Sequence, residues 1–270
     1  TTYTYKIKPG IYFHADPAFN GKKRELTAAD YVYTFKRFYD PKIRSAWKWI
    51  FEGKIVGEDE ALAAAEKTGK FDFDKEWPGL KALDRYTLQI KLKNPDYNFS
   101  YITAMVNAGA QAREVVEYYG NNIAQHPVGT GPFALKFWRP KSKIILERNP
   151  DYREVIFNSV GNQEDSWDVG AIAALQGKKL PIVDRVVIDM IDEPQPRLLA
   201  YLNKEHDYME EVDFEFIHQV APGGKPSPSL AKQGIKLFPQ VMPEITYTWF
   251  NMEDPVVGGY TAEKVALRRA

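Results

Sequence analysis

PVGTGPFALKFWRPKSKIILERNPDY, residues 127–152, is the stretch whose reading decides the fold. Two runs inside it, 132–138 and 143–148, are rich in apolar and β-prone residues, and Arg139-Pro140-Lys141-Ser142 joins them. With Gly and Pro at either end, this is the pattern of a β-hairpin. Gly129-Thr130-Gly131 invites comparison with a phosphate-binding loop, but such a fingerprint needs a third glycine and a helix whose N-terminus faces the phosphate. Here Pro132 and Phe133 lead into a strand, and no Gly-Lys-Ser/Thr triplet follows. The small residues therefore read as a tight turn. Lys136, Arg139, Lys141 and Lys143 around Trp138 read as the charged tip of the hairpin in preference to a nucleic-acid patch.

Upstream, residues 3–14 read as two short strands about Pro9-Gly10. Thr27 followed by Asp30 is a capping-box pattern, and Tyr31, Val32, Phe35 and Phe38 then share one helical face until Asp40-Pro41. Further helices are expected over 45–51, 58–68, 97–108 and 112–119, with a strand over 86–93. Downstream, 153–180 has weak periodicity and reads as an insertion or long loop. Then come a strand at 183–190, a helix at 195–204, a strand at 207–210 and a linker at 221–229. Strands at 235–238 and 245–250 precede a helix from Thr261. Strands and helices alternate without a fixed repeat, which predicts mixed α/β architecture.

Length and composition set the outer bounds. With 270 residues, 44% of them hydrophobic, the chain has ample material for a core. Lys and Arg number 36 against 36 Asp and Glu, so no global charge draws it to nucleic acid or to an anionic membrane. No run of 18 apolar residues is present. Cysteine is absent, which removes cysteine-built zinc sites and thiol redox chemistry. The chain opens at Thr1 without an initiator Met or a leader, and 261–270 reads as a helix just begun. It is therefore expected to be a piece of a longer protein, its compartment not decided by the missing leader.

Catalytic and metal-binding patterns are scarce. His14, His126, His206 and His218 form no HExxH and have no carboxylate at ligand spacing, and no GxSxG elbow, SxxK or EF-hand loop occurs. No metal or cofactor is expected. Glu210-Glu211 reads as a solvated pair, with an acid/base site or a cradle for a cationic group as the alternatives. On the expected strand 245–250, alternation puts Tyr247, Trp249 and Asn251 on one face, either as core or as the polar-aromatic wall of a ligand cleft.

Taken together, these segments resemble family 5 extracellular solute-binding proteins, those of oligopeptide and dipeptide importers. Pro127-Val128-Gly129-Thr130-Gly131-Pro132-Phe133 and Arg148-Asn149-Pro150-Asp151-Tyr152 are similar to the family's PVGTGPY and RNPDYW, in order and spacing. Leu26 to Phe35, Asp84 to Leu88, Leu180 to Asp207, Trp249 to Met252 and Lys264 to Ala270 resemble its further blocks. The loop 16–22 and the inserted 153–179 depart from the pattern. The resemblance implies a clamshell, type II periplasmic-binding-protein-like α/β lobe with mixed sheets, incomplete without its second lobe. It also implies the extra α/β domain of peptide-binding members at 1–125, part of the first lobe at 126–245, and a crossover at 246–270. The implied function is extracytoplasmic capture of a solute, di- or oligopeptides above all, by a monomer that delivers it to an ABC permease and is not an enzyme. An oligosaccharide, nickel chelate, haem or opine is the alternative on the same fold, and a carboxylate-based hydrolase the alternative of another class. The implied location is the periplasm or another extracytoplasmic site, with a lipid anchor left open. Gly129, Thr130, Gly131, Pro132, Arg148, Asn149, Pro150, Asp151 and Tyr152 are then framework residues. Tyr247, Trp249 and Asn251 are the candidate ligand contacts.

Overall fold

Thr27 opens the first helix as its spacing to Asp30 predicts. The Asp30 carboxylate accepts from the Thr27 backbone N–H at 2.7 Å and from its hydroxyl at 2.9 Å, and helix α1 (Ala28–Arg37) follows. Arg24 donates to the same carboxylate at 2.6 Å and also to Glu114, so the cap is tied to two other segments. The computed structural model describes residues 1–161, 166–241 and 243–270, in two compact units, Thr1–Ile191 and Asp192–Ala270.

In the first unit, strands β1 (Thr2–Lys6), β2 (Leu80–Asp84) and β3 (Thr87–Lys91) pair antiparallel in the order β1-β3-β2. Ile90 stands opposite both Tyr3 and Leu80. Helix α1 packs on β2 and β3, and helices α2 (Lys48–Phe51), α3 (Glu58–Thr68) and α4 (Phe99–Thr103) complete this region. Phe35, Phe51, Trp77, Ile90 and Phe99 are buried together in its core. Gly69 ends α3 in the left-handed region at φ 67°, which glycine adopts without a Cβ penalty. A satellite core joins Phe13, Phe19 and Leu26 to Ala112 and to Val115 of helix α5 (Arg113–Tyr119).

The hairpin forms as read. Strands β4 (Phe133–Arg139) and β5 (Lys143–Arg148) pair antiparallel, with a register shift between Leu135 and Phe137, and β6 (Arg185–Asp189) lies on the other side of β5. The architecture is mixed α/β, and each of these two sheets pairs antiparallel throughout.

Several expectations need correction. Residues 11–14 make only the isolated bridge Tyr12–Glu25, and the His14 N–H donates to Gly129 O instead of continuing the ladder. The expected helix 45–51 contracts to the single turn α2, and 97–108 splits into α4 and a short 3-10 turn at Val106–Ala108. Strand β2 was not anticipated. The expected loop 153–180 contains helix α6 (Ser166–Leu175), and the bridge Ile156–Lys179 closes the base of that excursion. Its residues 162–165 lie outside the described ones.

The second unit contains helices α7 (Pro194–Leu202), α8 (Ile217–Val220), α9 (Pro228–Lys232) and α10 (Ala262–Arg269). The Thr261 side chain caps α10 by accepting from the Lys264 N–H. The expected linker 221–229 holds a 3-10 turn, Pro222–Gly224, and the start of α9. The expected strands at 207–210, 235–238 and 245–250 are not strands among the described residues. Alternation says which side chains share a face, but a strand exists only where a second segment completes its hydrogen-bond ladder. No such partner segment is paired with these residues among the described ones.

Candidate ligand-binding site

The two halves of the 127–152 stretch meet at one buried amide. Asn149 is 2% exposed. Its Nδ2 donates to the Gly131 carbonyl at 2.8 Å, its backbone N–H donates to Pro132 O at 2.9 Å, and its Oδ1 accepts from the Asp151 N–H at 2.9 Å. The Tyr152 N–H closes the turn onto Asn149 O at 3.2 Å. A buried polar side chain is retained at low cost only when its partners are made in this way. The hairpin's entry and exit are thus joined through the Asn149 side chain.

The neighbours extend this tie. The His14 backbone N–H donates to Gly129 O at 3.0 Å, its ring Nε2 lies 3.2 Å from Pro127 O, and Lys23 pairs with Asp151 at 3.0 Å. Arg148 reaches across to β6, with its backbone N–H donating to Asp184 O and its guanidinium 3.0 Å from the Asp184 carboxylate. Arg153 lies over the Tyr152 ring at 4.8 Å. Gly129 and Gly131 differ from the tight-turn reading. Neither has a positive φ, and a Cβ at either would meet nothing within 4 Å. The demand for small residues there does not come from the described surroundings.

Tyr247, Trp249 and Asn251 lie on a segment without ladder pairing. Tyr247 is 75% exposed and Trp249 73%, so neither is covered by the described residues. The Asn251 Oδ1 accepts from the Glu253 N–H at 3.1 Å, which fixes the turn into 252–254. Sequence reasoning missed a concavity of about 1040 Å³ in the second unit, whose lining includes Tyr201, His206, Glu210, Glu211, Ile235 and Lys236. The only signal for it was Glu210-Glu211. The candidate trio is not part of that lining.

Where carboxylates have displaced pKa values, they are held down. The Gly10 N–H, then Arg85 and the Tyr86 hydroxyl, bring Glu25 to about 2. Arg113, Thr87, Lys54 and the Val257 N–H lower Asp74, Asp84, Asp96 and Asp254 respectively. Stabilised carboxylates of this kind do not protonate a leaving group near neutrality. Among the described residues no group of three or more His, Cys, Asp or Glu is placed to hold a metal, and no helix is long and apolar enough to cross a membrane.

Comparison with known proteins follows from this geometry. The model of bacterial extracellular solute-binding proteins, family 5 Middle, matches residues 1–270. The periplasmic oligopeptide-binding protein OppA of Salmonella typhimurium is 29% identical over 217 residues, 73% of this chain and 36% of that protein. A di/tripeptide-binding protein of Pseudomonas aeruginosa is 30% identical over 162 residues, 56% of this chain and 27% of that protein. Among solved structures, the OppA of Burkholderia pseudomallei superposes with a TM-score of 0.59 at 20% identity, covering 82% of this chain and 37% of that one. The Helicobacter pylori DppA in complex with the peptide STSA gives 0.55 at 23% identity, covering 81% and 36%. These likenesses show the fold, and the chain spans about a third of the length of the relatives it matches. Motif, fold and the family match over residues 1–270 agree that the chain belongs to the bacterial extracellular solute-binding proteins, family 5.

Proposed function

We propose that this chain is part of an extracytoplasmic capture protein that takes di- or oligopeptides and delivers them to an ABC permease. The observation that carries the reading is the match of the family model to all of residues 1–270, together with relatives named for oligopeptide and di/tripeptide binding. The action is binding without bond making: two lobes close about the ligand by a hinge motion. Residues 1–125 then act as the extra domain of peptide binders, 126–245 as part of the first lobe, and 246–270 as the crossover. Tyr247, Trp249 and Asn251 are the ligand contacts on this reading. Their exposure supports it, since a wall that meets a ligand is uncovered when no ligand is bound. Extended peptides bound through their backbones are held without strong side-chain preference.

The test is a thermal-shift screen of the native protein at its full length, using di- and oligopeptides, oligosaccharides, nickel and haem. A ligand that binds only the folded state raises the midpoint by mass action. A shift with peptides is the expected result. A shift with sugars, nickel or haem alone replaces the ligand on the same fold, and turnover of any of these substrates returns the hydrolase reading.

A further inference from the structure

Residues 41–51, PKIRSAWKWIF, carry three cations, Lys42, Arg44 and Lys48, and no acid, in a chain whose formal charge is zero. Their backbone is anchored from beneath. Ile50 and Phe51 are buried in the first core, with the Phe51 ring 4.6 Å from Phe38 and 5.2 Å from Phe35 between centroids. With those two side chains directed inward, the one-turn helix α2 leaves the tryptophans on either side of Lys48 in solvent. Trp47 is 46% exposed and Trp49 69%, and Ile43, four residues before Trp47, is exposed as well.

Among the described residues, neither indole has a ring partner, and Lys42 and Arg44 have no ion pair. Lys48 pairs with Glu52 at 2.7 Å. The one acid on the other flank, Asp40, is committed to its own turn, accepting from the Lys42 N–H at 2.9 Å. The result is a short segment that exposes two indoles and an isoleucine together with the cations Lys42 and Arg44.

Large apolar bodies held in water gain by being covered. An indole with one polar edge is most at home at the boundary between lipid headgroups and acyl chains, and cations beside it are drawn to anionic headgroups. We infer that residues 42–49 form a docking surface for an anionic phospholipid bilayer. Because the chain as a whole is neutral, the attraction is local and acts within about 10 Å at 0.1 M salt. Lipid binding here is peripheral: it orients the protein on the membrane and does not depend on the identity of the captured ligand.

Co-sedimentation of the chain with vesicles tests this, comparing phosphatidylcholine alone with phosphatidylcholine containing phosphatidylglycerol. The expected result is partition onto the anionic vesicles, a blue shift of tryptophan emission, and release at high salt. Lys42→Glu with Arg44→Glu lowers the partition by at least about tenfold. Trp47→Ser with Trp49→Ser removes most of the blue shift, and the thermal midpoint stays put because all four side chains are exposed. No partition, equal partition onto neutral vesicles, or binding untouched by either double variant overturns the proposal. Capture by an anionic polysaccharide column without vesicle binding overturns it as well, in favour of a glycan. The salt response of the unaltered protein supplies an answer even where a variant fails to fold.

Discussion

The two three-stranded sheets of the first unit share their size and antiparallel pairing and differ in what covers them. The sheet β1-β3-β2 lies under α1, and Ile90 at its centre is fully buried with Phe35, Phe51, Trp77 and Phe99. No residue of β4, β5 or β6 is buried, although Trp138, Ile144 and Ile188 stand in register on one face. The second sheet is held by its ladder, by flanking ion pairs such as Lys143–Asp189 at 2.9 Å, and by the Asn149 tie. Stability therefore resides mainly in the region before residue 125, and the family motif sits where packing contributes least.

The largest expected effect tests that division. Ile90→Ala removes a fully buried side chain and is expected to cost about 2–5 kcal/mol, whereas Ile145→Ala on half-buried β5 costs about 1 kcal/mol or less. Urea unfolding of both variants reads the difference, and equal losses break the comparison. Next in size, Asn149→Ala orphans the Gly131 carbonyl and the Asp151 N–H and is expected to cost about 1–3 kcal/mol. Hydrogen exchange should show that loss concentrated in β4 and β5, and a loss spread evenly into β1 and β3 argues against a local tie.

Acid acts on the first region through Glu25. Its carboxylate falls from 4.5 to about 2 on folding, so its contribution is complete above 4.5 and is lost as the pH drops from there through about 2. The gap in stability between the native chain and Glu25→Gln is expected to narrow across that window. A gap that does not change with pH contradicts the assignment. Smallest of all, Tyr247→Ala and Trp249→Ala should change the unfolding free energy by no more than about 0.5 kcal/mol, since both side chains are exposed. A larger change means that they pack.

What the sequence disclosed follows the same divide. Local chemistry was legible: the Thr27 and Asp30 cap, helix α3 to its last residue, strand β5, and the Thr261 start of α10 all follow from rules that act within a few residues. Non-local chemistry was not. Residues 245–250 alternate as a strand should, yet no segment among the described residues supplies the ladder. Leu80–Asp84 pairs at the edge of its sheet while offering little alternation of its own. Gly129 and Gly131 were read as a tight turn, but their positions place no steric demand on them. For the ligand site, the motif led to the framework around Asn149, while the exposure of Tyr247 and Trp249 depends on which segments fail to cover them. No pattern within six residues encodes that.

Calorimetric titration of the native full-length protein with a short unselected oligopeptide tests peptide capture most directly. The account predicts saturable one-to-one binding, weakened when Tyr247 and Trp249 are both replaced by alanine, with the peptide recovered intact. Absence of binding across peptides of several lengths, with the protein shown to be folded, would contradict it.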